Sequence, residues 1–520
     1  MKAMHRRSLL KAGLAGTAFL AALDRSLGLA QAQAAPKRGG TLSYAQLSAN
    51  RRSADARNAR HPYFVVDANT RLQWNCLTWV NEKLDVEMEL ATKIEPTDDR
   101  LVVWDVALRE GVRFHDGREM TSADVASSFE YHRRNAPFAR QIQRIETVGK
   151  YVARFTLETG NAEFAYILAE YNSVIMPAGS LETIGMDGIG TGPFKIVATD
   201  ANRSMIMERF DGYWREGAPY LDRVEIHNRE GQQESALNGL RAGQFDAVLT
   251  IDPRAVQQLQ SDPAYDIETA RGGYSFVIQL PKHPGSPFLD KRVRQALACA
   301  IDREAIVRVA YGGKHGWIGN DSHLMVTDAA FVPRPGGRDV AKAKRLLAEA
   351  GFPNGITLPT LYFSPQLPEV PRYFQVLQQS VKDAGITVPI EERPNDGYIQ
   401  FRTGDNDLSK GNFHKFAMTA VGSRNPGISL FRMRGANVES GHWRGPEHDR
   451  YMALYETAMV TRDAGRRKAI YAEMQAILHE EVPAILPAGG DTFLVKRKSV
   501  RNMPYHPQIW SIRFDHVWKA

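Results

Sequence analysis

Fourteen histidines and two cysteines are the residues of this chain best suited to bind metal or attack a carbon centre. His442 and His448 stand six apart, which is not a helical pairing, and no thiolate or carboxylate cluster accompanies them. His115 precedes Asp116-Gly117, a turn sequence, and reads as structural. Cys76 and Cys299 lie far apart in apolar surroundings. As buried thiols they would behave as small apolar side chains, while in an oxidising compartment they could pair. There is no G-x-S-x-G elbow, H-E-x-x-H helix, Gly-Lys-Ser/Thr phosphate loop or C-x-x-C pair. The S-x-x-K at Ser8–Lys11 falls in a leader segment. Nothing is spaced for covalent or metal-assisted catalysis, so neither an enzyme nor a cofactor is expected. What these side chains can do is hold a solute, through aromatic walls and a few placed charges.

The elements that must position them are most legible between Gly190 and Thr250. Gly190-Thr191-Gly192-Pro193 makes a turn. Residues 194–197 and 204–209 read as strands around the polar tip 199–202, and 224–227 as a third strand. A helix over 232–242 carries Ala236, Leu237 and Leu240 on one side and stops at Gly243. The apolar run 245–249 then completes a β-α-β unit with a right-handed crossover. Elsewhere, 39–45 reads as an opening strand, 72–80 as an apolar helix and 101–108 as a half-buried strand. Thr121 with Asp124 three residues on forms a capping box for a helix burying Val125, Phe129 and His132. Asp290 begins a helix with Val293, Leu297 and Ile301 on one face. Helices over 340–350 and 372–384 each precede a strand, 357–362 and 386–390. Helices over 449–459 and 463–479 lead to a strand at 482–487.

The first residues read as an address. Arg6-Arg7-Ser8-Leu9-Leu10-Lys11 is a twin-arginine pattern before a Gly- and Ala-rich run over 12–23, too short to span a membrane. Small-residue sites at Ala30-Gln31-Ala32 and Ala32-Gln33-Ala34 make 1–34 a signal peptide, with the twin-arginine export machinery as a partner and the periplasm as destination. No cysteine follows the run, so a soluble chain without a lipid anchor is expected. The leader carries four of the seven net positive charges, and the interspersed charges of the remainder imply no nucleic-acid partner. About 485 residues remain, too many for one ordinary core, so two or three lobes are expected.

The ordered set TGPFKI, FDGYWREGAPYLDRVEI and LRAGQFDAV resembles the hallmark segment of the bacterial extracellular solute-binding proteins of the peptide, opine and nickel class, the capture subunits of ATP-driven importers. A second stretch, from Phe288 through Ala300-Ile301-Asp302-Arg303, is similar to that family's other hallmark, and REGVRFHDG to its strand-turn-helix segment. The resemblance implies an α/β, two-lobed periplasmic-binding-protein (Venus-flytrap) fold with an additional subdomain and the ligand cleft between lobes. Lobe I would comprise 35–71, 190–271 and 487–520, its subdomain 72–189, and lobe II 272–486. It further implies a monomer that captures a peptide or peptide-like solute and delivers it to an ABC transporter permease of the inner membrane. Ligand contacts would come from Arg51, Tyr274, Ser275, Phe276, Ser423, Arg424, Asn425 and Trp443. Peptide binders of the family commonly carry an aspartate in the segment that here reads 419–426, where Arg424 stands and no aspartate does. A guanidinium suits a carboxylate and repels an ammonium group. An acidic, opine-like solute is therefore the alternative, with a nickel complex, a sensor role and a secreted hydrolase behind it.

Overall fold

The computed structural model describes residues 35–520 apart from 48–69, 182, 184–186, 201–202, 230–231, 366, 396, 405–413, 436–437 and 509–510. Arg38–Lys519 make one compact unit. Twelve strands join in a single sheet and are numbered here within it: β1 Thr41–Gln46, β2 Phe194–Asp200, β3 Ser204–Arg209, β4 Arg223–Asn228, β5 Ala247–Leu249, β6 Tyr265–Gln279, β7 Gly316–Ile318, β8 Leu361–Phe363, β9 Ile390–Glu392, β10 Ala417–Gly422, β11 Ala484–Ile485 and β12 Ala488–Arg497. The order is β9-β8-β10-β6-β12-β5-β1-β4-β3-β2, with β7 paired to β12 and β11 to β6.

Two strands, β6 and β12, are long enough to belong to both halves of this sheet. The first part of β6, Tyr265 to Ala270, pairs with Arg497 to Thr492 of β12, and β12 continues the sheet to β5. Past a bulge, Tyr274 to Gln279 pair with Gly422 to Ala417 of β10. The half from β5 to β2 is termed lobe I here, and the half from β10 to β9 lobe II. Each half is a layer between two apolar cores. In lobe I, Leu42, Tyr44, Val224 and Phe514 pack on one face and Ala45, Leu237, Val248 and Phe493 on the other, as period-two alternation requires. In lobe II, Phe276, Ile278, Leu361 and Phe374 face one core while Val277, Val421, Tyr451 and Leu478 face the opposite one. A separate four-stranded antiparallel sheet, Ala91–Pro96, Val103–Leu108, Val152–Leu157 and Ile142–Gly149, packs with helix Ser122–Asn135 around Phe129, Phe155 and Phe164. This layer is termed the subdomain here.

The α/β class is as expected from the sequence, and so are most elements. Helix Gln233–Ala242 ends at Gly243 with φ of 79°, and Thr121 and Asp124 form the capping box. The helix expected over 72–80 is a difference. Only Thr70–Gln73 is helical, and Thr78–Val80 is a strand. The cause is Glu89, whose carboxylate accepts from the Cys76 amide at 2.8 Å and the Asn75 amide side chain at 2.9 Å, holding that backbone extended. His115 fastens the subdomain to the Gly-Thr-Gly-Pro turn. Its Nε2 lies 3.0 Å from the Gly192 carbonyl and its Nδ1 accepts from the Gly190 amide at 3.3 Å, so the ring is neutral. Burial first, and Lys195 with it, lower its pKa to about 4. Cys76 and Cys299 are both buried and unpaired, and burial pushes the Cys76 thiol up to about 12.

Candidate functional site

β6 and β12 run from one half-sheet to the other through a register shift lined by glycines. Gly272 adopts φ of +65°, and a Cβ there would meet Thr327 Oγ1 at 2.7 Å, while one on Gly273 would meet Thr492 Oγ1 at 2.6 Å. Gly489 and Gly490 of β12 leave room for the rings of Trp317 and Tyr311. Glycine is thus required at the crossing by close approach as much as by backbone angle. Asp491 stitches the two strands together: its Oδ1 accepts from the Gly272 amide at 3.0 Å, and its own amide donates to the His315 carbonyl at 2.9 Å. Burial raises the Asp491 pKa and lowers that of His315.

Tyr274, the first residue of β6 beyond the bulge, donates its hydroxyl to the buried carboxyl of Glu369 and rests against Phe276 and Tyr311. Burial, aided by the nearby Asp252, pushes Glu369 up to about 8, against the opposing pull of Arg372. Ser275 points to the other face and donates to the Ala488 carbonyl at 3.0 Å. Phe276 is fully buried between Tyr373 and Phe374. Trp443 is buried against Tyr451 and His448, in the core of lobe II. Arg51 lies outside the described residues.

Ser423, Arg424 and Asn425 follow the end of β10 directly, beside the bulge of β6. The Ser423 amide donates to the Gly273 carbonyl at 3.2 Å, which holds the end of β10 against the bulge. Asn425 caps helix Pro426–Phe431 by accepting from the Gly427 amide at 2.9 Å. Between them Arg424 reaches the subdomain, its Nε 3.3 Å from Glu170 Oε2 with both side chains largely buried. A few residues on, Arg432 grips Glu439, which also receives His323 Nε2 at 2.8 Å. A parallel contact joins the same two bodies: Glu163 of the subdomain meets Arg467 at 3.1 Å and the Tyr471 hydroxyl at 3.0 Å, and the Ala162 amide donates to the Met459 carbonyl at 2.6 Å. Burial raises the pKa of Glu163, and Arg467 opposes the rise.

Glu170, Glu163, Asp491 and Glu369 did not stand out in the sequence. Their partners lie 254, 304, 219 and 95 residues away, and isolated carboxylates carry no local pattern. His442 and His448 do not converge. His442 stacks on His414 with ring centres 4.4 Å apart, whereas His448 accepts from the Gly435 amide at 2.8 Å. Among the described residues no group of three or more His, Cys, Asp or Glu is placed to hold a metal ion. Nor is any helix among them long and apolar enough to cross a membrane.

Residues 85–440 match the profile of the bacterial extracellular solute-binding proteins, family 5 middle region. The chain belongs to that family. Family 5 members are binding proteins and not enzymes, of a class associated with ABC transporters. A glutathione-binding protein, GsiB, of Pectobacterium atrosepticum is 28% identical over 316 residues, 58% of this chain and 60% of that protein. Among solved structures, a dipeptide-binding protein from Pseudoalteromonas sp. SM9913 in complex with Met-Leu superposes with a TM-score of 0.78 at 20% identity, covering 92% of this chain and 100% of that one. The AgaA binding protein of A. tumefaciens R10 with agropinic acid gives 0.75 at 21% identity, over 92% and 99%. These likenesses establish the family 5 fold.

Proposed function

We propose that this family 5 protein captures a peptide or peptide-like solute in the cleft between its lobes and delivers it to an ABC transporter permease of the inner membrane. The observation that carries the reading is the pair of strands β6 and β12, which are the sheet's link between lobes and cross with glycines and a bulge at the root of the cleft. A sheet joined through such a constriction can bend there with little repacking of either core, and closure about a hinge replaces the solute's hydration with fixed hydrogen bonds. Within the cleft the contacts would come from Tyr274, Ser423, Arg424 and Asn425, and from Arg51, which lies outside the described residues. The division into lobe I, subdomain and lobe II, export through the twin-arginine route, and a soluble monomer without a lipid anchor complete the proposal.

A second reading, an acidic or opine-like solute, is favoured by one observation: the segment 419–426 carries Arg424 and no aspartate, and a guanidinium suits a carboxylate better than a peptide's amino terminus. Native mass spectrometry of protein taken from its own periplasm, followed by thermal-shift screening of peptides, opines and sugars, tests both. A ligand that binds only the folded state at a hundredfold excess over its dissociation constant stabilises it by about 2.7 kcal/mol. Stabilisation by free-amine peptides rather than by carboxylates without an amine supports the first reading, and stabilisation by such carboxylates that vanishes in Arg424→Ala supports the second. Turnover of an ester or peptide, or no binding by any solute, would overturn both.

A further inference from the structure

The chain never passes directly between the subdomain and lobe II. The subdomain strands lie in sequence between β1 and β2 of lobe I, and lobe II begins only past the bulge of β6. What joins the two bodies near Glu163 is a tooth, residues 160–163. It meets the end of helix Pro446–Val460 and the start of helix Ala464–Glu481. The tooth is stiffened within the subdomain by Asn161, about 4% exposed. Its amide donates to the Leu101 carbonyl at 3.1 Å and its Nδ2 to Gln141 Oε1 at 2.7 Å, while its Oδ1 accepts from the Glu163 amide at 2.8 Å. Glu163 is therefore aimed before it touches lobe II.

The socket that receives it is equally fixed. Arg467 Nε lies 3.1 Å from Glu163 Oε1 and the Tyr471 hydroxyl donates to Oε2 at 3.0 Å, while Arg467 Nη1 is anchored on the Thr461 carbonyl at 2.6 Å. Gly427 leaves the space that the carboxylate fills, for a Cβ there would run into Glu163 Oε2. Beside the socket the Ala162 amide donates to the Met459 carbonyl at 2.6 Å, and Ile428 rests on the subdomain core. We propose that Glu163 and this socket form a latch, which fastens the subdomain to lobe II in the solute-free chain and lets go when the two part. The carboxylate is satisfied by the chain's own donors, so the latch closes without a solute. Inter-domain contacts of this polar kind open and remake rather than staying shut. For a solute held in the closed form, apparent affinity scales with the fraction of chains closed, so the latch tunes capture by population. This goes beyond the solute-binding reading and is tested without any solute.

The test is double electron–electron resonance on the whole mature chain, dialysed free of solute. Spin labels are placed on Gln143→Cys in the subdomain and Lys344→Cys in lobe II, both exposed positions, while Cys76 and Cys299 are buried. Hydrogen exchange of the Ala162 amide is read in the same proteins. The parent is expected to show one short distance. Glu163→Ala and Gly427→Ala should each add a longer one and speed the Ala162 amide by about tenfold or more, the equivalent of a lost charged hydrogen bond. Gly427 is helical, so alanine suits its backbone, and its effect should pass through Glu163. In the Glu163→Ala background Gly427→Ala should therefore change nothing further, a coupling that a merely structural role would not produce. Glu163→Gln serves if Glu163→Ala does not fold. Exchange in the subdomain strand Val152–Leu157 should stay slow throughout. Unchanged distances and exchange, additive effects of the two substitutions, or acceleration shared by Val152–Leu157 would each overturn the latch. None of these results touches the solute-binding reading, which stands or falls on the thermal-shift screen.

Discussion

Replacing Glu369 by glutamine should change the pH dependence of stability and little else. The carboxyl is buried beside the Tyr274 hydroxyl and its pKa rises from the ordinary 4.5 to about 8, chiefly through burial. Between those values the folded chain holds a proton that the unfolded chain releases. The group's contribution is therefore complete below pH 4.5 and is lost as pH rises through about 8. One proton sets a ceiling of about 1.4 kcal/mol per pH unit, so the whole interval amounts to roughly 5 kcal/mol, with relaxation around the site reducing it. Glutamine has the same shape, keeps an oxygen to accept from Tyr274 and binds no proton. At pH 5 the variant should match the parent within about 1 kcal/mol, and by pH 8 it should be the more stable by roughly 3 kcal/mol or more. Urea denaturation followed by circular dichroism at pH 5, 6, 7, 8 and 9 reads the difference directly. Parallel stability curves for the two proteins would refute the reasoning, because they would mean that Glu369 is ionised in the fold throughout.

On the acid side, His115 and His506 are both lowered to about 4 by burial, so each contributes stability present above pH 6.5 and lost as pH falls towards 4. His506→Gln should flatten the part of an acid melting series between pH 6.5 and 4 that this group supplies. Gly192→Ala should destabilise by about 3 kcal/mol or more in a denaturant titration, since its Cβ would lie 2.5 Å from the Leu72 carbonyl oxygen, backbone that cannot yield cheaply. Arg303 forms a two-pronged contact with fully buried Asp321 at 2.9 and 2.8 Å; Arg303→Met should cost roughly 3–5 kcal/mol by thermal unfolding, as it strands a buried carboxylate that Arg334 only partly compensates.

The local pattern made much of the fold legible before any coordinates. Glycine stops, capping residues and alternating apolar positions located the strands and helices of the 190–250 unit because these features act within one turn or one pleat. The helix expected over 340–350 was equally local and is found at Val340–Glu349. The stretch around Asn75 and Cys76 was not, since its conformation is imposed by Glu89, a residue beyond its own helix period. The cleft root was half visible. Tyr274, Ser275 and Phe276 follow the glycines of the crossing, but the carboxylates near it come from the subdomain and from β12, and no sequence window contains both members of such a pair. Aromatic residues misdirect most easily, for Phe276 and Trp443 look alike in sequence whether they line a cleft or fill a core.

The position of β12 also sets an order of events in biosynthesis. It lies in the middle of the sheet between β5 and β6, both of which are made far earlier in the chain. The two halves of the sheet cannot join through β12 until it has been made, whereas the subdomain sheet, contiguous from Ala91 to Leu157, can close as soon as it leaves the ribosome. Nascent chains stalled before Ala488 should then yield a protease-resistant subdomain and a digestible lobe I, and the final strand acts as the keystone whose arrival makes folding all-or-none.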